Sequence, residues 1–265
     1  MRVFALSDVH IDYQVNAKWI ANLSFEDFRD DVLILAGDVT DTRQLLEWCL
    51  SVLAKRFQKV LFVPGNHDLW VLREERGMDS LRKFEQLRTL VESTGATMEP
   101  FRRQGVSFLP LFSWYDYSFG EATEELRSVW MDYRACRWPE GFSERDVAAH
   151  FAALNEPQVS PDGDTIITFS HFMPRIDLMP GFIPHASRML YPVLGSVTIE
   201  KQLRSLRSHI HVYGHSHVNR HVRIDGVSYI NNAFGYPSEA LITSKRLLCI
   251  HNDETSTPIT NRGVR

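Results

Sequence analysis

Cysteine is scarce: Cys49, Cys136 and Cys249 are the three among 265 residues. They are odd in number, far apart and form no CxxC pair. That excludes a disulfide framework and a cysteine zinc site, and points to a reducing compartment. Their simplest use is as small buried hydrophobes. Long apolar runs are missing too. Nothing approaches the roughly 18 consecutive apolar residues of a membrane span. The first residues, 1–8, turn polar too soon for the apolar core of a secretory signal. The chain is therefore expected to be cytoplasmic, with no membrane span. Neither sign of charge dominates, since 29 Lys and Arg face 33 Asp and Glu for a formal net charge of −4. Such a chain is not built to track long nucleic acid through bulk charge, so long nucleic acid is not an expected partner. Internal repeats and low-complexity tracts are absent, and only 252–265 reads as loose polar chain.

What is present is a hydrophobic share of 44%, enough for a real core. Short apolar runs at 3–6, 32–36 and 60–63 are rich in β-branched residues and do not alternate with polar ones. This is the pattern of strands buried on both faces. Between the last two, Leu46, Leu50, Leu53 and Phe57 share one face of a helix predicted over 43–57. Strand–helix–strand at this spacing predicts a parallel pair in an α/β layer. Further strands are expected at 106–112, 165–170, 209–213, 227–231 and 247–251, with 222–224 as a hairpin partner. Helices are expected over 79–93, from Ser143 with Asp146 in a capping box, and from Thr198. No linker divides the chain, so 1–265 reads as a single domain with an insert at about 69–164. That insert is rich in aromatics, Trp114, Tyr115, Trp130 and Tyr133 among them. They read as its small core rather than as a surface for stacking bases or lining a lipid groove.

Polar clusters follow the strands, at the sheet edge where α/β sites form. They are Asp8-Val9-His10, Gly37-Asp38-x-x-Asp41, Gly65-Asn66-His67-Asp68, His171 and Gly214-His215-Ser216-His217. They supply carboxylates, imidazoles and an amide but no thiolate, a donor set for Mn²⁺, Fe or Zn²⁺ and not for Ca²⁺ or an iron–sulfur cluster. So many polar groups at one edge are costly unless cations satisfy them. In extended chain, side chains two apart point the same way, so Asp8 and His10, and His215 and His217, are each expected to aim at one region. Gly37 and Gly65 are expected to let the backbone turn sharply. Taken singly, each residue has a plainer use. Asp8, Asp41 and Asn66 are turn residues or caps, and His171 is a hydrogen-bonded histidine. Their order along the chain makes them a set.

The motifs DxH, GDxxD, GNHD, a lone His and GHxH run in this order from Asp8 to His217. They resemble the calcineurin-like metallophosphoesterase superfamily, and none departs from its pattern. The resemblance implies an α/β fold, a four-layer α/β/β/α sandwich of two mixed β-sheets. It implies that Asp8, His10 and His217 hold one metal, that Asn66, His171 and His215 hold another, and that Asp38 bridges both. The implied cofactors are two metal ions, Mn and/or Fe, with Zn also accepted. His67 is implied to lie outside the metal shell and face the phosphate as proton donor or oxyanion stabiliser, a task that an imidazole of ordinary pKa can perform near pH 7. Asp41 and Asp68 are implied to orient histidines or their loop.

The implied activity is dinuclear metal-dependent hydrolysis of a small phosphate ester, monoester or diester, by a metal-bridging hydroxide. Two other readings share these motifs: a non-catalytic scaffold of the same fold, and a nuclease. A scaffold has no need of so many clustered ligands. The nuclease reading lacks both the length for DNA-handling domains and a basic charge. The insert and 172–196 are expected to choose the ester. Arg134, Arg137, Arg175 and Arg188 are each read as solvated or structural arginines; if one of them clamps phosphate, Arg175, four residues after His171, is the first choice.

Overall fold

The computed structural model describes residues 1–156, 158, 161–239 and 241–253. Of the stretch 252–265 read as loose polar chain, the part from 254 lies outside the described residues. Strands β1 (Arg2–Leu6), β2 (Val32–Ala36) and β3 (Lys59–Val63) pair in parallel. Every residue of β2 is buried, as its unbroken apolar run requires. A second sheet holds β4 (Phe101–Arg103), β5 (Val106–Pro110), β6 (Thr165–Phe169), β7 (Ile210–Tyr213), β8 (Arg220–Ile224) and β9 (Val227–Asn231). Its order is β4-β5-β6-β7-β9-β8, with parallel pairing from β5 through β9 and antiparallel edges at β4 and β8. The last strand, β10 (Leu248–Asn252), returns antiparallel to β1 at the edge of the first sheet.

Helices α1 (Gln14–Ala21), α2 (Arg43–Ala54) and α3 (Ser80–Ser93) pack on one another as one outer layer. After the short α4 (Glu124–Val129) and α5 (Asp132–Ala135), helices α6 (Glu144–Asn155) and α7 (Val197–Ser205) pack together as the other. Across the middle, β2 meets β7 and β3 meets β5. This is the four-layer α/β/β/α sandwich of two mixed sheets. Helix α2 buries Leu46, Leu50 and Leu53 on its expected face. Helix α6 starts at the Ser143/Asp146 capping box.

Four elements were not legible, the short α4 and α5 among them. Helix α1 buries just Asn16 and Ile20 and starts without a side-chain cap, so it carries no apolar stripe. Strand β4 is Phe-Arg-Arg, held to β5 by pairing rather than by pattern. The stretch 69–164 supplies α3, β4, β5 and α6 to the layers, together with the short α4 and α5. Among the described residues, no helix is long and apolar enough to cross a membrane.

Candidate metal centre

The carboxyl ends of β1, β2, β3, β6 and β7 lead into the five polar clusters. Asp8, His10, Asp38, His215 and His217 all have φ between 43° and 67°. For residues with a Cβ this left-handed region costs of order 1–3 kcal/mol each, a strain that gathers at functional sites. The backbone is therefore not the extended chain assumed for the two x-separated pairs. Asp8 and His10 still fall in one donor group, while His215 and His217 fall in two groups that share Asp38.

Two groups of donor atoms result. Asp8, His10, Asp38 and His217 form one; Asp38, His171 and His215 form the other. In the first, His217 Nε2 lies 3.2 Å from both Asp8 Oδ1 and His10 Nε2. In the second, His171 Nε2 lies 3.1 Å from His215 Nδ1, 3.2 Å from Asn66 Oδ1 and 3.5 Å from Asp38 Oδ2. Donors held at about 2.1 Å around one cation stand roughly 3–3.5 Å from each other, which is the spacing here. His67 Nε2 is further out, 3.8 Å from Asp38 Oδ2.

Three of the rings are anchored from their far side. His171 Nδ1 donates to Ala36 O at 2.9 Å, His215 Nε2 to Val193 O at 3.1 Å and His217 Nδ1 to Glu239 Oε2 at 2.6 Å. At His171 and His215 the bond fixes the tautomer and leaves the other nitrogen's lone pair facing the cluster; at His217 it fixes the ring's orientation. Asp68 ties two loops together by accepting backbone N–H groups of Asp38, Val39, Thr40 and Gly65. The glycines serve closeness as much as turning. Gly37 has φ +80°, but Gly65 has no such conformation; a Cβ there would collide with Asp38 Oδ1 and the His171 ring. Gly65→Ala is therefore expected to displace Asp38 and lower metal content and activity together. Elemental analysis beside a rate assay checks this, and a variant normal in both would contradict it.

Burial pushes the Asp38 carboxyl well above the usual carboxylate range, and repulsion from Asp8 and Asp68 adds to it. Burial likewise pushes His10, His171 and His215 down, toward neutral imidazole. At His217 burial also pulls down, but the Asp8 and Glu239 carboxylates outweigh it and lift the ring to about 10. The site thus gathers neutral imidazole lone pairs beside buried carboxylates and draws positive charge to itself. Cations meet both demands at once, so these residues fit a metal pair. His67 departs from the ordinary imidazole expected of it: burial, reinforced by His171 and His217, pushes it down to about 3.

A family model described as calcineurin-like phosphoesterase matches residues 1–219, a span holding all five motifs. The chain belongs to this family. It is a metal-dependent phosphohydrolase. Over 262 residues it is 28% identical to an acyl-carrier-protein phosphodiesterase, PptH, of Mycobacterium tuberculosis, covering 89% of this chain and 78% of that one. The crystal structure of phosphopantetheinyl hydrolase (PptH) from Mycobacterium tuberculosis superposes with a TM-score of 0.79 at 23% identity, covering 97% of this chain and 98% of that one. That of TT1561 of Thermus thermophilus does so with 0.50 at 15% identity, covering 93% and 97%. These structural likenesses speak to the fold.

Several groups around this phosphoesterase's site carry no motif. Trp70 stacks on His67 with centroids 3.7 Å apart. Tyr236 lies 4.4 Å from the His10 ring, and its hydroxyl is 3.4 Å from His67 Nε2. Tyr236 and Glu239 follow β9, so the strand-end rule that found the other clusters points to them as well. Trp130 sets its edge against His215, and Asp132 bonds to Asn66. The aromatic stretch is therefore divided: Trp114 and Tyr115 are buried core, while Trp130 walls the site.

Arg175 is held in ion pairs by Asp177 and Glu200, the structural use expected of it. Asp41 pairs with Arg73 instead of orienting a histidine. Two grooves open on either side of His67 and Tyr236, which line both. One, of about 230 Å³, is lined by Asp12, Asp41 and Arg73. The other, of about 270 Å³, runs past Trp130, Leu190 and Leu194.

Proposed function

We propose that this chain is a two-metal phosphodiesterase, with Asp8, His10 and His217 at one cation, Asn66, His171 and His215 at the other, and Asp38 between them. The observation that carries the reading is the pair of donor clusters sharing Asp38, with three of their rings anchored from behind. The oxygen and nitrogen donors suit Mn and Fe, and accept Zn. When bound, the cations neutralise phosphoryl oxygens and acidify water. The rest falls to the protein. The anchored rings and the Asp68 clamp keep the donors in place as charge develops. His67, outside the donor clusters, faces the leaving oxygen and gives it a proton as the P–O bond breaks and water's oxygen joins phosphorus. An imidazole pushed down by burial needs negative charge beside it to hold that proton, and an anionic phosphate supplies it.

Two grooves meeting at His67 favour a diester over a monoester, since the two arms leave by separate exits. The 28% identity to an acyl-carrier-protein phosphodiesterase supports a finer reading: the diester is a phosphopantetheinyl group carried on such a protein. In this reading 1–265 acts as a single domain with an insert at about 69–164, whose Trp130 walls the site. The reaction is placed in the cytoplasm, where the free thiols of Cys49, Cys136 and Cys249 stay reduced.

Incubation of the Mn²⁺-loaded protein with phosphopantetheinyl acyl-carrier protein is expected to release the prosthetic group, seen as a mass loss. Chelation should stop it and Mn²⁺ restore it. If aryl phosphodiesters are cleaved but the carrier protein is not, the substrate reading falls and the chemistry stands. Inertness on every ester with Mn²⁺, Fe²⁺ and Zn²⁺ overturns both.

A further inference from the structure

We propose that Asp132 is a positioning residue that aims the Asn66 amide oxygen at the second donor cluster. This rests on the reading of Asn66 as a metal ligand. The two ends of an amide have nearly the same shape, so what each end faces decides its orientation. Asn66 Nδ2 donates to Asp132 Oδ1 at 2.8 Å, which turns Asn66 Oδ1 toward His171 Nε2, 3.2 Å away. Asp132 is 2% exposed, and a carboxylate so buried must be satisfied by donors. Two more N–H groups reach it: Trp70 Nε1 at 2.7 Å and Trp130 Nε1 at 2.8 Å.

Each of these three donors belongs to a side chain that touches the site. Asn66 faces the cluster, Trp70 stacks on His67, and Trp130 meets the His215 ring at 86° with centroids 5.7 Å apart. One carboxylate therefore indexes an amide and two indoles against three site residues. It does so from α5, outside the strand ends that carry the motifs. Asp132→Asn keeps the shape but turns an N–H₂ group toward one of the donors, so the network cannot close.

The test compares the wild-type chain with Asp132→Asn, Asn66→Ala and the double variant, each stripped of metal and titrated with Mn²⁺ under electron paramagnetic resonance. Asp132→Asn should keep one site at wild-type affinity and weaken the other by roughly 10- to 100-fold, with the spin-coupled signal of the metal pair fading in step. The double variant should bind no more weakly than Asn66→Ala, because Asp132 acts through Asn66. Two wild-type sites in Asp132→Asn, with one site lost in Asn66→Ala, would overturn the proposal and leave Asn66 a ligand. Two wild-type sites in Asn66→Ala would remove the ligand reading and this proposal together. Equal weakening of both sites with a lower unfolding temperature would overturn it as well, by making Asp132 a packing group.

Discussion

Asp38→Asn is expected to empty both metal sites to a similar degree and to lower the hydrolytic rate by about 10³-fold or more, the scale of several kcal/mol of transition-state charge stabilisation. Asp38 is the residue that both donor clusters share. Its Oδ1 accepts the His67 backbone N–H at 3.0 Å, and its Oδ2 lies 3.5 Å from His171 Nε2. Asparagine preserves that outline and removes the charge that, in the proposed two-metal reading, holds two cations together. Stability should move the other way. Burial and the neighbouring Asp8 and Asp68 hold the Asp38 carboxyl well above its ordinary pKa, so its charged form costs the metal-free fold free energy near neutral pH. The neutral variant, stripped of metal, should therefore unfold at the same or a higher temperature than the stripped wild type. Metal analysis and thermal unfolding on one preparation check both halves. Full occupancy with a normal rate would refute the bridging role, and a large drop in Tm would mean that the lost activity reports misfolding.

His67→Gln should separate the two functions that Asp38→Asn removes together. His67 stands outside both donor clusters, so metal content should stay near wild type. The rate should fall by roughly 10²- to 10⁴-fold, the share of a positioned proton donor. The loss should shrink for esters with acidic leaving groups, which depart with little protonation. Glutamine suits this better than alanine, because the imidazole fills a slot against Trp70 that alanine would leave open. Loss of metal in parallel with rate would put His67 among the ligands. An undiminished rate on an ester with a poor leaving group would give the proton to another donor, and the Tyr236 hydroxyl, 3.4 Å from His67 Nε2, is the next candidate.

The strands were legible because the deepest of them are unbroken apolar runs, a pattern independent of what they pack against. The clusters after them were legible because parallel strands deliver their carboxyl ends to one edge. Legibility failed where a residue's role depends on a partner remote in sequence. Glu239 reads as a polar loop residue until the return of β9 brings it 2.6 Å from His217 Nδ1. Arg175 reads as a structural arginine, yet nothing in the sequence names its partner Glu200 on α7, 25 positions away.

The sequence by itself determined the α/β class, the strands that build the site and the types of donor they bring, since periodicity and side-chain chemistry act locally. The tertiary structure decided how those donors divide. His215 and His217 fall in different donor groups, and both adopt left-handed turns, a conformation that surrounding packing must hold in residues with a Cβ. It also decided which nitrogen of each anchored histidine faces inward and which end of Asn66 does, through Ala36, Val193, Glu239 and Asp132. Two of those acceptors are backbone carbonyls, which every residue carries and no sequence pattern marks. The other two are carboxylates that gain their meaning from distances of 2.6 and 2.8 Å to residues 22 and 66 positions away.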